Sequence, residues 1–398
     1  MKFTALSLVM MIVLISCDQP KPVTMEVVAI DTVKRDSVII TPIVVPEVIY
    51  SDSLLDPFAR FMAGLPQLDT ANQYRILEDS KHWMDYQIYM DENWFRMDST
   101  RLIPMSDWKE VHLSNAIDDS LTVFYPFSGP DLLHATVLYP HATEFILSGL
   151  EPITELPTLT TQTQKEQDQF LDSLSNSLRD IFGKSFFITR NMQKDLKQVK
   201  GVLPLLLTFI SRTGHEVVTL KYVSIDSSGM EITVPFDRMG FFKVRGVKIE
   251  YRNRGGGFLK KLYYFTGDVS NNGLLGKREW LTFLNHHRPF NTFIKSASYL
   301  MHQDIFSGIR DQIIEGSYSI FQDDTGIPYR YLKSDYAGLF FGEYVKPVKD
   351  FIWLEKQPDL DSAFQAGSQP LPFSLGYHWG SRKQHYMLFI KKNPIFAP

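Results

Sequence analysis

Apolar and polar positions alternate along the chain in a pattern that predicts helices first and an α/β sheet after them. Between residues 71 and 98, large side chains recur at steps of three and four, which places them on one face of a long helix. They are Trp83, Tyr86, Met90, Trp94 and Met97. We expect this stripe to face the core. Shorter helices are predicted at residues 53–64 and 106–113, so residues 51–115 form a helical layer.

Residues 121–152 predict a βαβ unit. Apolar runs at 121–127 and 143–152 flank a turn rich in Gly and Pro and a short helix at 132–138. A crossover of this kind makes the two strands that it joins run parallel. Asp131 stands at the start of the helix, where a carboxylate can accept hydrogen bonds from backbone N–H groups that have no partner within the helix.

The rest of the chain continues this alternation. One amphipathic helix is predicted to end at Gly183. Three further helices are predicted at residues 191–212, 277–285 and 306–315. Strands are predicted at 185–189, 216–225, around 231, and at 244–251, 258–265, 292–299 and 318–322. Residues 226–229 predict a hairpin turn. Residues 376–380 and 386–390 predict a hairpin that closes the chain. The expected fold is α/β, a Rossmann-like parallel sheet with an antiparallel extension and an N-terminal helical layer. We expect one domain over residues 51–398, with its α/β core at 116–398.

The first seventeen residues predict export. Lys2 precedes an apolar run from Phe3 to Ile15, and the following Ser16 and Cys17 complete the lipobox of a bacterial lipoprotein signal peptide. The run is shorter than the roughly 20 residues that a membrane-spanning helix needs. We therefore expect Cys17 to carry acyl chains such as palmitate and to anchor the protein to a membrane of the cell envelope, facing the periplasm or the exterior. Residues 18–50, with spaced prolines, predict an extended tether, and an edge strand at 38–45 is the alternative.

Composition narrows the possible partners. With 398 residues, of which 44% are hydrophobic, the chain can bury a sizeable core. The formal net charge of -4 and the lack of any long Lys/Arg run argue against nucleic acid. Cys17 is the only cysteine, so once it is acylated no thiol remains for disulfides, zinc binding or catalysis.

The strongest candidate for a ligand site is the turn that contains Ser128, Gly129 and Asp131, together with Glu151. A turn after the first strand and an acid at the end of the second are similar to the first βαβ unit of Rossmann-like proteins, S-adenosylmethionine-dependent methyltransferases in particular. That resemblance implies that a ligand lies over the turn and that the acidic residue, Glu151, binds the hydroxyls of its ribose. The turn has one glycine, Pro130 lacks an N–H donor, and Phe127 is bulky, so a purely architectural turn is the alternative. We predict no cofactor.

Ser128 is also a possible nucleophile, with His134 or His141 as its base. The sequence around it is not the Gly-x-Ser-x-Gly elbow of hydrolases. The simpler interpretation is that Ser128 caps the helix that follows. The catalytic residues therefore stay unknown at this point.

Two other groups of residues could bind ions. A metal set could be drawn from His286, His287, His302, Asp304, Asp323 and Asp324. Adjacent histidines point about 100° apart on a helix, and the Asp pair is typical of a turn, so no metal site is predicted. The Arg- and Gly-rich run at 252–257 could hold an anion, but between two strands it predicts a hairpin tip.

Several segments resemble a family of bacterial envelope lipoproteins for which we know of no activity. They are residues 124–131, 149–152, 295–302, 321–328 and 370–377. The resemblance covers most of the chain from residue 52 and implies one coherent domain, but it supplies no catalytic residue. We expect a binding or interaction module for an envelope protein or a small ligand. The alternatives are an enzyme or ligand-binding protein that uses the turn at 128–131, or a degenerate methyltransferase-like fold.

Overall fold

The computed structural model describes residues 52–188, 196–197, 199–347, 351, 354–380 and 383–393. These residues belong to a compact unit that spans residues 47–398. The predicted signal peptide and tether, and the alternative edge strand at 38–45, lie outside the described residues. Among the helices that are described, none has the length and apolar character needed to cross a membrane.

Four helices form the N-terminal layer: α1 (Asp52–Met62), α2 (Gln73–Leu77), α3 (Lys81–Met97) and α4 (Ile103–His112). The single helix predicted over 71–98 is divided because Ser80 caps α3, accepting a hydrogen bond from the Trp83 N–H at 3.1 Å. The predicted stripe is confirmed as core at four of its positions, while Trp94 is half-buried. A π-helical turn over Asp98–Leu102 connects α3 to α4.

Eight further helices and eleven strands complete the described part of the chain. The helices are α5 (Leu132–Leu138), α6 (Gln164–Lys184), α7 (Leu203–Arg212), α8 (Asn271–Leu274), α9 (Arg278–His286), α10 (Ser307–Gly316), α11 (Tyr329–Leu332) and α12 (Pro358–Ala366). The strands are β1 (Val123–Tyr125), β2 (Glu144–Gly149), β3 (His215–Ile225), β4 (Glu231–Thr233), β5 (Arg245–Asn253), β6 (Lys260–Thr266), β7 (Phe290–Ile294), β8 (Ser317–Gln322), β9 (Tyr336–Gly342), β10 (Ser368–Gln369) and β11 (His385–Lys391).

All eleven strands form one mixed sheet in the order β10-β9-β11-β8-β7-β1-β2-β6-β5-β3-β4. The five central strands, β8 to β6 in that order, run parallel. On one side β11 lies antiparallel between β8 and β9, and on the other side β5, β3 and β4 add an antiparallel extension. The α/β class and the parallel βαβ unit are therefore confirmed, with Tyr125 of β1 paired to Leu147 of β2.

Helices cover both faces of the parallel strands. Val123 and Tyr125 point into a core shared with α1 and α3 to α7, whereas Phe124 points into a second core shared with α9, α10 and α12. Because neither face meets water, β1 is apolar throughout instead of alternating, and the polar residues of β7 and β8, such as Asn291 and Ser319, are buried as well. This is why three consecutive residues of β1 are all buried.

Some predicted elements are wrong. Residues 185–188 form no strand, because Ser185 adopts a left-handed conformation (φ 71°) and ends α6, which runs through Gly183. The helix predicted over 191–212 is interrupted: residues 196, 197 and 199 are helical, residues 200–202 form a turn and bend, and α7 begins at Leu203, next to Pro204. The strand predicted to reach residue 299 ends at Ile294, since Ser296, Ser298 and Tyr299 all have positive φ.

The predicted closing hairpin is also wrong. Residues 376–378 form a 3-10 turn, and β11 pairs with β8 and β9 instead. The sequence analysis missed β9 and α12 altogether. Without β9, nothing in the local pattern indicated that β11 would be placed between two strands distant from it along the chain.

Candidate functional site

The turn after β1 is a compact backbone structure that is hydrogen-bonded to β2. Phe127 and Gly129 have positive φ (59° and 53°), which reverses the chain within a few residues. The Ser128 N–H donates to the Ser148 carbonyl at 2.9 Å. The Ser128 hydroxyl lies 2.9 Å from the Gly129 carbonyl and 3.1 Å from that of Ser148. Ser128 is thus buried and stabilises the turn.

Glu151 lies against two glycines where β1 and β2 end. A Cβ atom on Gly149 would come within 2.4 Å of the Glu151 Oε2 and 2.9 Å of the Gly129 Cα. The Tyr264 hydroxyl, from β6, lies 3.0 Å from the Glu151 carbonyl and 3.2 Å from its Oε2. Burial raises the pKa of the Glu151 carboxyl group. Only glycine leaves enough room for this close approach.

These groups line a crevice of about 150 Å³ at the carboxyl ends of β1, β2, β6 and β7. The described residues that line it include two acids, Glu151 and Asp268, and no base. Its apolar wall is formed by Phe127, Leu150, Val269, Ala297, Leu300 and Phe306. The hydroxyls of Ser148 and Ser296 are buried in this lining without a hydrogen-bond partner within the described chain. Such groups are satisfied when a ligand or water binds.

Directly beneath the turn lies a buried polar cluster of Asp131, Lys295, His134 and Tyr125. The Lys295 Nζ is 2.5 Å from Asp131 Oδ2, and the His134 Nδ1 is 2.8 Å from Asp131 Oδ1. The Tyr125 hydroxyl donates to Asp131 Oδ2 at 3.1 Å. Lys295 also donates to the carbonyl of Ser185 at the end of α6. Asp131 and Lys295 are 1% and 3% exposed, so water contributes almost nothing to solvating this ion pair.

The charges in this cluster follow from burial and proximity. Burial lowers the pKa of His134 to about 4, so the imidazole is neutral at pH 7. For Asp131, burial acts to raise the pKa, but His134 and Lys295 outweigh it and hold the pKa below its usual range. Burial also lowers the pKa of Lys295 and the Asp131 carboxylate opposes this, so the two charges of the pair depend on each other beside a neutral histidine.

The structure divides the sequence-predicted site residues into two groups. Gly129 and Glu151 line the crevice. Ser128 and Asp131 lie beneath it, occupied by hydrogen bonds within the protein. The helix cap is Asp131, which accepts from the His134 N–H at 3.4 Å, so the interpretation of Ser128 as the cap is wrong.

The structure does not support Ser128 as a nucleophile. The nearby His134 ring is engaged with Asp131. The His141 side chain is 67% exposed and lies 4.0 Å from Asp119. In the described chain neither imidazole is hydrogen-bonded to the Ser128 hydroxyl, so the base that a serine nucleophile requires is lacking.

The ion-binding candidates from the sequence do not assemble as proposed. His287 lies 3.2 Å from Glu144, His302 contacts the Asp324 carbonyl at 3.1 Å, and His286 is exposed at the end of α9. The glycine-rich run does connect β5 to β6 as a hairpin tip. Its two arginines are paired, Arg254 with Asp56 at 2.8 Å and Arg252 with Glu216 at 2.5 Å.

The sequence analysis missed Asp268, Ser148 and Ser296 as crevice residues, and Lys295 as the partner of Asp131. One signal was present for Lys295, which is a single charge directly after the apolar strand β7. Lysine is rarely buried unless it is paired, so a lysine at the end of a core strand points to a buried anion. The other three residues gave no local signal.

Comparison with known proteins yields no similarity. No family model matches the chain, no curated protein matches it, and no solved structure matches it.

Replacing Asp131 should test the buried ion pair. Asp131→Asn leaves the Lys295 ammonium buried without its counter-charge, so we expect the free energy of unfolding to fall by about 3 to 5 kcal/mol. The measurement is urea unfolding followed by circular dichroism. The matched control is Asp85→Asn, whose pair with Lys81 is nearly as short at 2.6 Å but exposed; its loss should be about 1 kcal/mol or less. Equal losses in the two variants would contradict the assignment.

His134 should make the protein less stable in acid. Its folded pKa of about 4 is below the ordinary value of about 6.5, so between these two pH values the unfolded chain binds a proton that the folded chain does not. The free energy of unfolding should therefore fall as the pH falls from about 6.5 to about 4, by at most about 1.4 kcal/mol per pH unit from this group.

His134→Gln should reduce the slope of unfolding free energy against pH by this amount. The burial of His215 also lowers its pKa to about 4, so part of the slope should persist in the variant. His141→Gln, at an exposed position, is the control and should leave the slope unchanged. An unaltered slope in His134→Gln would mean that His134 is not held neutral in the folded state.

Proposed function

We propose that this protein is a lipid-anchored envelope protein whose α/β domain binds a small hydroxyl-bearing ligand in the crevice described above. The observation that carries the proposal is one crevice at the ends of parallel strands, lined by Glu151 and by two serines, Ser148 and Ser296, whose buried hydroxyls have no hydrogen-bond partner within the described chain. We assign it no catalytic step.

The topology supports this location. From β1 the chain adds β2 and then β6 on one side, and afterwards β7 and β8 on the other. An order that reverses at the first strand supports the Rossmann-like sheet that we propose, and in such sheets ligands bind outside the carboxyl ends of the strands where the order reverses. The crevice lies at that reversal, between the loops that follow β1 and β7.

The lining supports a ligand that is neutral or cationic. The two carboxyl groups of the lining would repel phosphate and other anions, and Lys277, whose Nζ lies 3.4 Å from the Asp268 carbonyl, is not part of that lining. The carboxyl and hydroxyl groups at the end of the second strand require a ligand with hydroxyl groups, such as a sugar or polyol. The apolar wall that contains Phe127 and Phe306 requires a ring or another apolar part. A nucleoside without phosphates meets both requirements.

The size of the crevice sets how such a ligand would lie. At about 150 Å³ it holds a fragment on the scale of one sugar ring, which is less than most small-molecule pockets. Leu150 and Glu151 also border a more open cleft of about 960 Å³. A larger ligand would therefore place its sugar in the crevice and extend over Glu151 into the cleft.

A second candidate is a methyltransferase-like fold that binds S-adenosylmethionine without turnover. One feature favours this candidate. The strand β11 runs antiparallel beside β8, the last of the parallel strands, and the resemblance to methyltransferases implies an antiparallel strand at this position. S-adenosylmethionine is a cationic nucleoside and suits an acidic crevice. The single glycine of the turn argues for a weakened site.

The lipid anchor rests on the sequence Leu14-Ile15-Ser16-Cys17. Acyl chains on Cys17 would each contribute about 0.8 kcal/mol per buried methylene, and two or more chains give stable attachment. The substitution Cys17→Ser should move the protein from the membrane fraction to the soluble fraction in cells. Globomycin, which blocks lipoprotein signal peptidase, should make the unprocessed form of the unaltered protein accumulate. If both treatments leave size and partitioning unchanged, the protein is not a lipoprotein.

Ligand binding can be measured by calorimetry on the detergent-solubilised full chain with adenosine, ribitol, S-adenosylmethionine and adenosine monophosphate. We expect adenosine or S-adenosylmethionine to bind, and the monophosphate to bind more weakly because its phosphate meets Glu151 and Asp268. Glu151→Gln should weaken binding at least about tenfold, since a hydrogen bond to a charged group contributes about 1.5 to 3 kcal/mol.

The control for this experiment is Glu92→Gln, a carboxylate exposed on α3, which should leave the affinity unchanged. Preference for S-adenosylmethionine over adenosine would favour the second candidate. Binding of the monophosphate as tightly as the nucleoside, or binding that is indifferent to Glu151, would contradict the proposed site.

A further inference from the structure

A second group of buried polar side chains lies at the end of β8, outside the crevice. It consists of Asp324, His378 and His385, and one ligand atom from each lies within 4.8 Å of those of the other two. Asp324 and His385 are 1% and 2% exposed, while His378 is half-buried. The site described above uses none of these residues.

The sheet register brings the first two residues together. In the antiparallel ladder Met387 of β11 pairs with Gln322 of β8. Asp324 lies two residues after Gln322, just beyond β8, and His385 lies two residues before Met387, at the start of β11, so their side chains meet across the antiparallel ladder. His378 arrives from the 3-10 turn Gly376–His378, with its ring centroid 5.2 Å from that of His385.

These side chains lack the hydrogen bonds that a purely structural role would give them. Asp324 Oδ1, His378 Nε2 and both ring nitrogens of His385 are buried without a hydrogen-bond partner within the described chain. The His385 Nε2 lies 3.0 Å from Asp324 Oδ1, but it is not directed along a hydrogen bond to that oxygen. Each buried donor or acceptor left in this state costs about 1 to 3 kcal/mol.

A metal ion would satisfy all three residues at once. Ligand atoms on a tetrahedral zinc ion lie about 3.3 Å apart, close to the spacing already present between His385 and Asp324. The other Asp324 oxygen, Oδ2, accepts a hydrogen bond from the Tyr299 hydroxyl at 2.8 Å, which fixes the carboxylate in the way that groups around a metal site orient its ligands.

We propose that Asp324, His378 and His385 bind a divalent transition-metal ion, Zn²⁺ being the simplest case. Two imidazoles and one carboxylate are ligands that Zn²⁺ and its first-row neighbours prefer, whereas Mg²⁺ and Ca²⁺ take oxygen ligands. Three protein ligands leave one coordination position for water or another molecule, which is the pattern of open sites and not of closed structural ones.

The experiment is metal titration of the full chain, purified in detergent without a histidine tag and stripped with a chelator. We expect Zn²⁺ and Co²⁺ each to bind with one equivalent per chain by calorimetry and to raise the thermal unfolding midpoint, and Mg²⁺ and Ca²⁺ to have no effect. Bound Co²⁺ should give the visible absorption of a low-symmetry four-coordinate site.

His378→Gln is the decisive variant, because His378 is half-buried and its replacement should leave the fold intact. It should weaken Zn²⁺ binding at least tenfold and alter the Co²⁺ spectrum, and His378→Gln/His385→Gln should abolish the midpoint shift. His286→Gln, at an exposed histidine on α9, is the matched control and should bind as the unaltered chain does. Failure of the unaltered chain to bind Zn²⁺, or equal binding by His378→Gln, would overturn the proposal.

Discussion

The buried ion pair between Asp131 and Lys295 is the constraint on which the central part of the structure depends. Asp131 caps α5 immediately after the turn from β1, and Lys295 directly follows β7, which pairs with β1 on the edge opposite β2. The Lys295 ammonium group also donates a hydrogen bond to the backbone carbonyl of Ser185, the residue that ends α6. Three segments distant in sequence thus meet at one pair of charges. The desolvation of either charge is tolerable only while the other is present, so the three segments must assemble together.

Local patterns predicted the parts of the fold that depend on local physics. The spacing of Trp83, Tyr86, Met90 and Met97 placed the core face of α3, and the apolar runs around residues 132–138 gave the parallel βαβ unit. The position of β11 between β8 and β9 could not be predicted in this way. Strand pairing between distant segments leaves no mark in either segment alone, so the closing hairpin was the natural but mistaken interpretation.

The candidate site shows the same division. Gly129 and Glu151 could be found because a turn after one strand and an acid after the next follow a known arrangement. Asp131 was correctly placed at a helix start, but the sequence did not show that its partner is Lys295, 164 positions away. Asp324 was considered with His302 because both lie in the same stretch of chain, while its side-chain neighbour His385 belongs to a strand whose place in the sheet was not foreseen.

The outermost strands of the sheet have a consequence for the protein in a crowded compartment. An eleven-stranded sheet would ordinarily present two long rows of unpaired backbone groups, and another polypeptide could extend the ladder there. Here the outermost strands β10 and β4 contain only two and three residues. A passing chain finds only these few residues to pair with on the outermost strands, and on β3, which extends beyond β4, the Val217 N–H donates to Asp56 Oδ1 of α1 at 3.2 Å. Short outermost strands of this kind disfavour edge-to-edge aggregation at both ends of the sheet.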